Sequence, residues 1–289
     1  MVDVELESLA IKVARSENLP VLPQVATVVL RLADDPNASA RNLEKMIERD
    51  PALAAKTLRV ANSSYYGLSN VATVGRAISI LGLNTIRSLV ISVSYQQMIS
   101  GRITAKNFDK VAFWTHSLAV ATASRILGKM HKPDKAEELY IAGMMHDVGY
   151  LVLDRFCPGE LDEAIRVCRI ENISLVESEF KQYGFDHGEV GGLLAQKWGL
   201  PKPLENAIRY HHRVMEDTEH QEMTAIVSMA DGIAHAAGLT NNSPADTVKI
   251  DPLAESTLGI AEQQIKVVAE VMLQEVQRAS HAFALPAAA

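Results

Sequence analysis

The run Ile141-Ala142-Gly143-Met144-Met145-His146-Asp147-Val148-Gly149-Tyr150 sets an imidazole beside a carboxylate at the end of an apolar stretch. Apolar residues at 141, 144, 145 and 148 recur at helical spacing, so the run reads as a buried helix that Gly149 stops. A buried aspartate is costly unless a cation or strong donors meet it. A divalent metal is the simplest cation that satisfies His146 and Asp147 together. Taken alone, the pair reads more readily as a capping histidine and a solvated aspartate, so the metal reading depends on further ligands.

Candidates for those ligands follow along the chain. His116 precedes His146 by thirty positions, which fits two adjacent antiparallel helices, about 108–130 and 134–148, joined at Lys132-Pro133-Asp134. His116 shares the apolar face of Phe113, Val120, Ala123 and Leu127. Asp186 is an N-cap that places His187 in the first turn of a helix, with Gly191 and Gly192 permitting close packing one turn on. A helix begun at Pro203 leads to His211-His212, and Asp231 follows with His235 one turn beyond it. Each has an ordinary alternative when taken singly. His116 could be a core histidine bonded to a carbonyl, His187 a first-turn residue, His211-His212 a pair favoured by a helix dipole, and Asp231 a cap or ion-pair partner. His131, His220 and His281 read as surface residues.

The elements that position these groups read as helices throughout. Residues 4–16 show helical spacing, Leu19–Pro23 is an extended segment between two prolines, and Gln24–Leu32 is helical up to Asp34-Asp35-Pro36. Ser39 caps a helix through Ile47, and Asp50-Pro51 caps another running to about Val60. Asn62–Gly67 is a polar turn with exposed Tyr65 and Tyr66. Thr73 caps a helix ending near Gly82, and Asn84 caps one from Thr85 to about Met98. The polar stretch 101–107 is the best domain boundary, giving an N-terminal module over 1–104 and a second over 105–289. After Pro158-Gly159 come helices over about 160–169 and 175–183, and Asn241–Pro244 is a loop. A last helix over 260–283 carries the stripe Ile265, Val268, Val271, Met272 and Val276, and Ala284–Ala289 is a fraying end.

Composition agrees and excludes several classes. Of 289 residues 48% are hydrophobic but only 5% aromatic, which favours packed helices over a β-sandwich. The net charge is −7 with no basic stripe, so duplex nucleic acid is not an expected partner. The acidic Met1–Glu5 start is no secretory signal, no segment is apolar enough to span a membrane, and Cys157 and Cys168 read as reduced core thiols. The expected location is cytoplasmic.

The run Glu48–Tyr66, with its Asp-Pro cap and Arg-x-Ala-Asn element, and the later Ala77-Ile78-Ser79-Ile80-Leu81-Gly82 resemble the signature of HDOD domains, which are HD-related output domains of bacterial signalling proteins. The resemblance covers about 19–235. It implies an all-α fold, with an N-terminal helical bundle packed on an HD-like multi-helix domain. The set His116, His146, Asp147, His187, His211, His212 and Asp231 is similar to the metal site of HD phosphohydrolases. Seven ligands are too many for one ion and fit two, Fe, Mn or a similar metal. By resemblance His116, His146, Asp147 and Asp231 hold one ion, and His187, His211 and His212 hold the second, with Asp147 bridging. Two functions then compete. One is a signalling output module, such as the effector part of a two-component response regulator, answering to a protein partner or a nucleotide second messenger. Its input would lie outside this chain. The other is a phosphohydrolase or phosphodiesterase in which a metal-bound hydroxide attacks phosphorus, with Asp147 as its central carboxylate. Active cyclic-di-GMP phosphodiesterases of the HD-GYP type carry Lys where this chain has Tyr150, and Gly-Tyr-Pro where it has Arg213-Val214-Met215. Both departures favour the first function.

Overall fold

The computed structural model describes residues 5–16, 24–31, 39–101, 103–244 and 247–283. The expected proline-bracketed segment Leu19–Pro23, the stop at Asp34–Pro36 and the fraying end Ala284–Ala289 lie outside them. The described residues are helical with no strand, and no helix among them is long and apolar enough to cross a membrane.

The N-terminal part runs α1 (Leu6–Arg15), α2 (Gln24–Arg31), α3 (Ala40–Glu48), α4 (Pro51–Ala61), α5 (Val74–Leu81) and α6 (Leu83–Ile99). Its starts follow the capping chemistry of the sequence. Ser39 accepts from the amide of Asn42, Asp50 from that of Leu53 with Pro51 next, and Thr73 from that of Arg76. Asn84 does not cap α6 as the sequence suggested. The chain turns at Gly82, whose φ of +84° admits a residue without Cβ, and the helix starts at once. Asn84 therefore sits inside the first turn, where its side chain accepts from Arg87. Tyr65 and Tyr66 are half-buried rather than exposed, because the turn that bears them folds back onto the core.

The second part runs α7 (Lys110–His131), a 3-10 turn (Pro133–Lys135), α8 (Ala136–Met145), α9 (Gly149–Phe156), α10 (Pro158–Glu171), α11 (Leu175–Tyr183), α12 (His187–Trp198) and α13 (Lys202–Tyr210). A second 3-10 turn (Val214–Glu216), α14 (Gln221–Ala236), α15 (Pro252–Leu258) and α16 (Glu262–Ala282) follow. Buried α7 is the axis, with α8, α14 and α16 packed around it, while α12 lies against α9 and α13. The antiparallel α7–α8 hairpin approaches so closely that a Cβ on Gly143 would lie 2.7 Å from the Val120 carbonyl oxygen.

Gly149 does not stop a helix. It opens α9, which sequence reasoning overlooked. Its role is packing, since a Cβ there would fall 1.9 Å from the carbonyl oxygen of His187 at the start of α12. The α16 stripe is Val268, Met272, Val276 and Ala279, with Val271 turned to solvent at its flank. Both cysteines are buried and unpaired.

Candidate metal centre

Each member of the set is delivered by the end or the inner face of a helix. His116 projects from buried α7. His146 caps the C-terminus of α8, and Asp147 lies in the short link before α9. His187 opens α12, whose N-cap Asp186 accepts from the amide of Glu189 at 2.9 Å. His211 and His212 follow the last turn of α13, and Asp231 lies on α14. The structure brings all seven into one buried cluster, in which six are at most 2% exposed and His212 alone reaches toward the surface.

The ring nitrogens divide into two classes. Nδ1 of His116 donates to Leu239 O at 2.7 Å, Nδ1 of His146 to Gly143 O at 2.8 Å, and Nδ1 of His211 to Ile208 O at 2.9 Å. Nδ1 of His187 donates to the Glu179 carboxylate at 2.9 Å. These acceptors can only accept, so they fix the proton on Nδ1 and leave Nε2 as a lone pair in the neutral ring. The Nε2 atoms then face one another. His116 and His146 are 3.2 Å apart, His187 and His211 3.3 Å, and His187 and His212 3.2 Å.

The carboxylates complete the cluster. Asp147 Oδ1 is 2.9 Å from His187 Nε2, 3.3 Å from His146 Nε2 and 3.7 Å from His211 Nε2. Asp231 Oδ1 is 3.1 Å from His116 Nε2 and 3.8 Å from His146 Nε2. None of these contacts has hydrogen-bond geometry, and both oxygens are buried without a partner. Atoms this close that do not point at one another converge on shared points. Three groups of donor atoms result, each within 4.8 Å: Asp147, His187, His211 and His212; His116, His146 and Asp147; and His116, Asp231 and His235, with Asp231 Oδ1 also 3.8 Å from His146 Nε2. Hard oxygen and imidazole donors together are compatible with a divalent metal.

Charge is arranged accordingly. Burial opposes ionisation of Asp147, but the imidazoles of His146 and His187 outweigh it and hold the carboxyl well below the usual range. Burial also opposes a charged His187, yet Glu179 and Asp147 outweigh it and raise its pKa well above that of a free imidazole. Burial, then His212 and His146, drive His211 well below the usual value, and burial with His187 pushes His212 down to about 4. His211 and His212 are therefore neutral donors at neutral pH.

Sequence reasoning missed two residues that touch the set. Glu179 is fully buried and also accepts from the backbone amide of His187 at 3.1 Å. A signal existed, because Glu179 stands one turn after Leu175 on the buried face of α11. Asn241 comes from the 239–244 loop and donates its side-chain amide to Asp147 Oδ2 at 2.6 Å. Nothing local in Asn241-Asn242-Ser243-Pro244 marks it. Tyr150 packs its ring on His187 at 4.0 Å between centroids. His131 and His220 are half-buried, not fully exposed as read from sequence, while His281 is exposed.

A family model described as HDOD domain matches residues 19–214. An uncharacterized protein of Treponema pallidum (strain Nichols) is 24% identical over 245 residues, 79% of this chain; the chain spans 45% of that relative's length. Among solved structures, an HDOD domain protein of unknown function from Geobacter sulfurreducens superposes with a TM-score of 0.79 at 22% identity, covering 98% of this chain and 100% of that one. A Shewanella amazonensis SB2B protein described only as a candidate phosphohydrolase superposes with a TM-score of 0.73 at 23% identity, covering 96% and 98%. These structural likenesses show a shared fold, and with the family pattern matched across more than half of its length, the chain belongs to the HDOD domain family.

Proposed function

We propose that this chain is a metal-loaded regulatory output module of a bacterial signalling system. Its buried centre takes two divalent ions, Fe, Mn or similar. His116, His146, Asp147 and Asp231 hold one, and Asp147, His187, His211 and His212 hold the other. The observation that carries the metal reading is the donor geometry: Nε2 atoms 3.2–3.3 Å apart, with Nδ1 of His116, His146, His187 and His211 committed elsewhere, around two unpartnered carboxylate oxygens. A cation at the centre would meet both carboxylate oxygens and the Nε2 atoms at once.

Three features support regulation over turnover. Tyr150 occupies the place of the lysine that would hold a phosphate, and its ring covers His187. Asn241 covers Asp147, and the second helix-end pair lacks a following Gly-Tyr-Pro. The ions then fix α7, α8, α12, α13 and α14 relative to one another, and a protein partner or nucleotide second messenger reads that arrangement. An effector role within a two-component response regulator fits this reading. A metal pair would also clamp a phosphate and lower the pKa of a bridging water, which is the chemistry of the alternative, a phosphohydrolase.

The test is metal analysis of the purified protein, paired with a phosphoester screen with and without added Mn or Fe. Two equivalents of metal, lost in Asp147→Ala, and no turnover are the expected result. Metal-free, inert protein would overturn the metal centre. Metal-dependent phosphate release that Asp147→Ala abolishes would overturn the regulatory reading in favour of hydrolysis.

A further inference from the structure

His235 stands apart from the other buried imidazoles. It lies one turn after Asp231 on the same face of α14 and is 1% exposed. Neither of its ring nitrogens has a hydrogen-bond partner. His116, His146, His187 and His211 each commit Nδ1 to a carbonyl or carboxylate. A buried imidazole with both nitrogens idle is disfavoured unless something meets it. Its Nε2 points toward the cluster, 3.4 Å from Asp231 Oδ1, and its ring centroid is 4.7 Å from that of His116. The donor atoms of His116, Asp231 and His235 all lie within 4.8 Å of one another.

We propose that His235 is a fifth protein ligand of the ion held by His116, His146, Asp147 and Asp231. The inference rests on the two-ion reading above and extends it. Donors about 2.1–2.2 Å from a six-coordinate ion stand about 3 Å from their neighbours and about 4.3 Å from the donor opposite. The spacings of Asp231 Oδ1 to His116, His146 and His235, at 3.1, 3.8 and 3.4 Å, fall within that span. Five protein donors leave this ion one open place at most. The second ion has four, and it lies beside His212, the one member of the set that is partly exposed. The two ions are therefore unequal. The first is closed and structural, and the second carries the exchangeable positions where a phosphate or nucleotide anion would bind.

The experiment reconstitutes the full chain with cobalt(II), wild type beside His235→Ala and His235→Phe. Binding is read by chelator competition, coordination by visible absorption, and stability of metal-free and loaded protein by urea unfolding. The wild type is expected to bind two ions. Both variants are expected to weaken one of them at least tenfold, with a changed cobalt spectrum and the other ion untouched. His235→Phe keeps the ring's bulk and removes its idle nitrogens, so its metal-free form should be at least as stable as the wild type's. Only its metal-induced rise in urea midpoint should shrink. Variants that bind both ions with wild-type affinity and spectrum would overturn the fifth ligand while leaving the two-ion centre standing. A wild type that binds one ion would overturn the two-ion reading on which the proposal rests, and one that binds none would remove the centre itself.

Discussion

Adding one methyl group at Gly149 tests whether the α9–α12 contact sets the geometry of the centre. A Cβ there would lie 1.9 Å from His187 O and 2.8 Å from the backbone nitrogen of Gly191. Ordinary contact begins near 3.4 Å, so in Gly149→Ala the helices must part by about 1.5 Å. The obstacle is backbone at the start of α12, which has no rotamer to change. Overpacking of this kind costs about 1–3 kcal/mol, and the rigid obstacle places this case near 3. Alanine recovers about 0.5–1 kcal/mol of helix propensity, for a net loss of about 2 kcal/mol. The same shift carries His187 Nε2 away from Asp147 Oδ1, now 2.9 Å away, by several times the roughly 0.2 Å tolerance of a metal ligand. Urea unfolding and metal content of Gly149→Ala are the assays, with Gly159→Ala as control. Gly159 lies in the first turn of α10 with open space at its Cβ, so its substitution should be neutral or stabilising by about 0.5 kcal/mol. A Gly149→Ala protein within about 0.5 kcal/mol of wild type, holding its full metal, would refute the reasoning.

Glu179→Gln exchanges the carboxylate that fixes the His187 proton for a neutral amide and should weaken metal binding about 10–100-fold by chelator competition while the helical circular dichroism is kept. Asp217 is buried and accepts from Asn206, Thr224 and the amides of Glu219 and His220; burial opposes its charge, yet these bonds hold its pKa below the usual value. Its contribution to stability is thus full above the unfolded pKa of about 3.9 and is lost as pH falls through the lower folded value, so Asp217→Asn should cost about 1–3 kcal/mol near pH 7 and flatten the acid limb of stability against pH; an unchanged acid limb would refute this.

What the sequence made legible was local. Asp50-Pro51 and Asp186-His187 announce helix starts because a side-chain oxygen meets amides three residues on, within one turn. The His116–His146 approach follows from two helices and a short joint, which sequence separation alone nearly determines. What stayed hidden depends on distant chain. Gly149 looked like a stop because glycine both ends helices and admits close neighbours, and only the path of α12 decides between them. Asn241 reaches Asp147 across 94 positions, with no periodicity to betray it. Tyr65 looked like an exposed turn residue, but its hydroxyl accepts from Arg125 on α7 at 2.6 Å.

That last contact bears on how a regulatory module would use its centre. The resemblance-bearing run is built for holding rather than for chemistry. Asn62 closes its turn by donating to Leu58 O and Val71 O and accepting from the Val71 amide, each at 2.9 Å. The turn so fixed presents Tyr65 to Arg125, whose guanidinium lies 4.7 Å over the Tyr140 ring, and the Tyr140 hydroxyl meets Ser92 of α6 at 3.1 Å. Arg125 is on α7 with His116, and Tyr140 is on α8, which ends at His146. The N-terminal helices therefore grip the two helices whose histidine nitrogens stand 3.2 Å apart. Packed helices shift as units, and ligand atoms tolerate only tenths of an ångström. Force applied to α4 or α6 thus reaches the centre through side chains already in contact, and ions bound there would resist it in return.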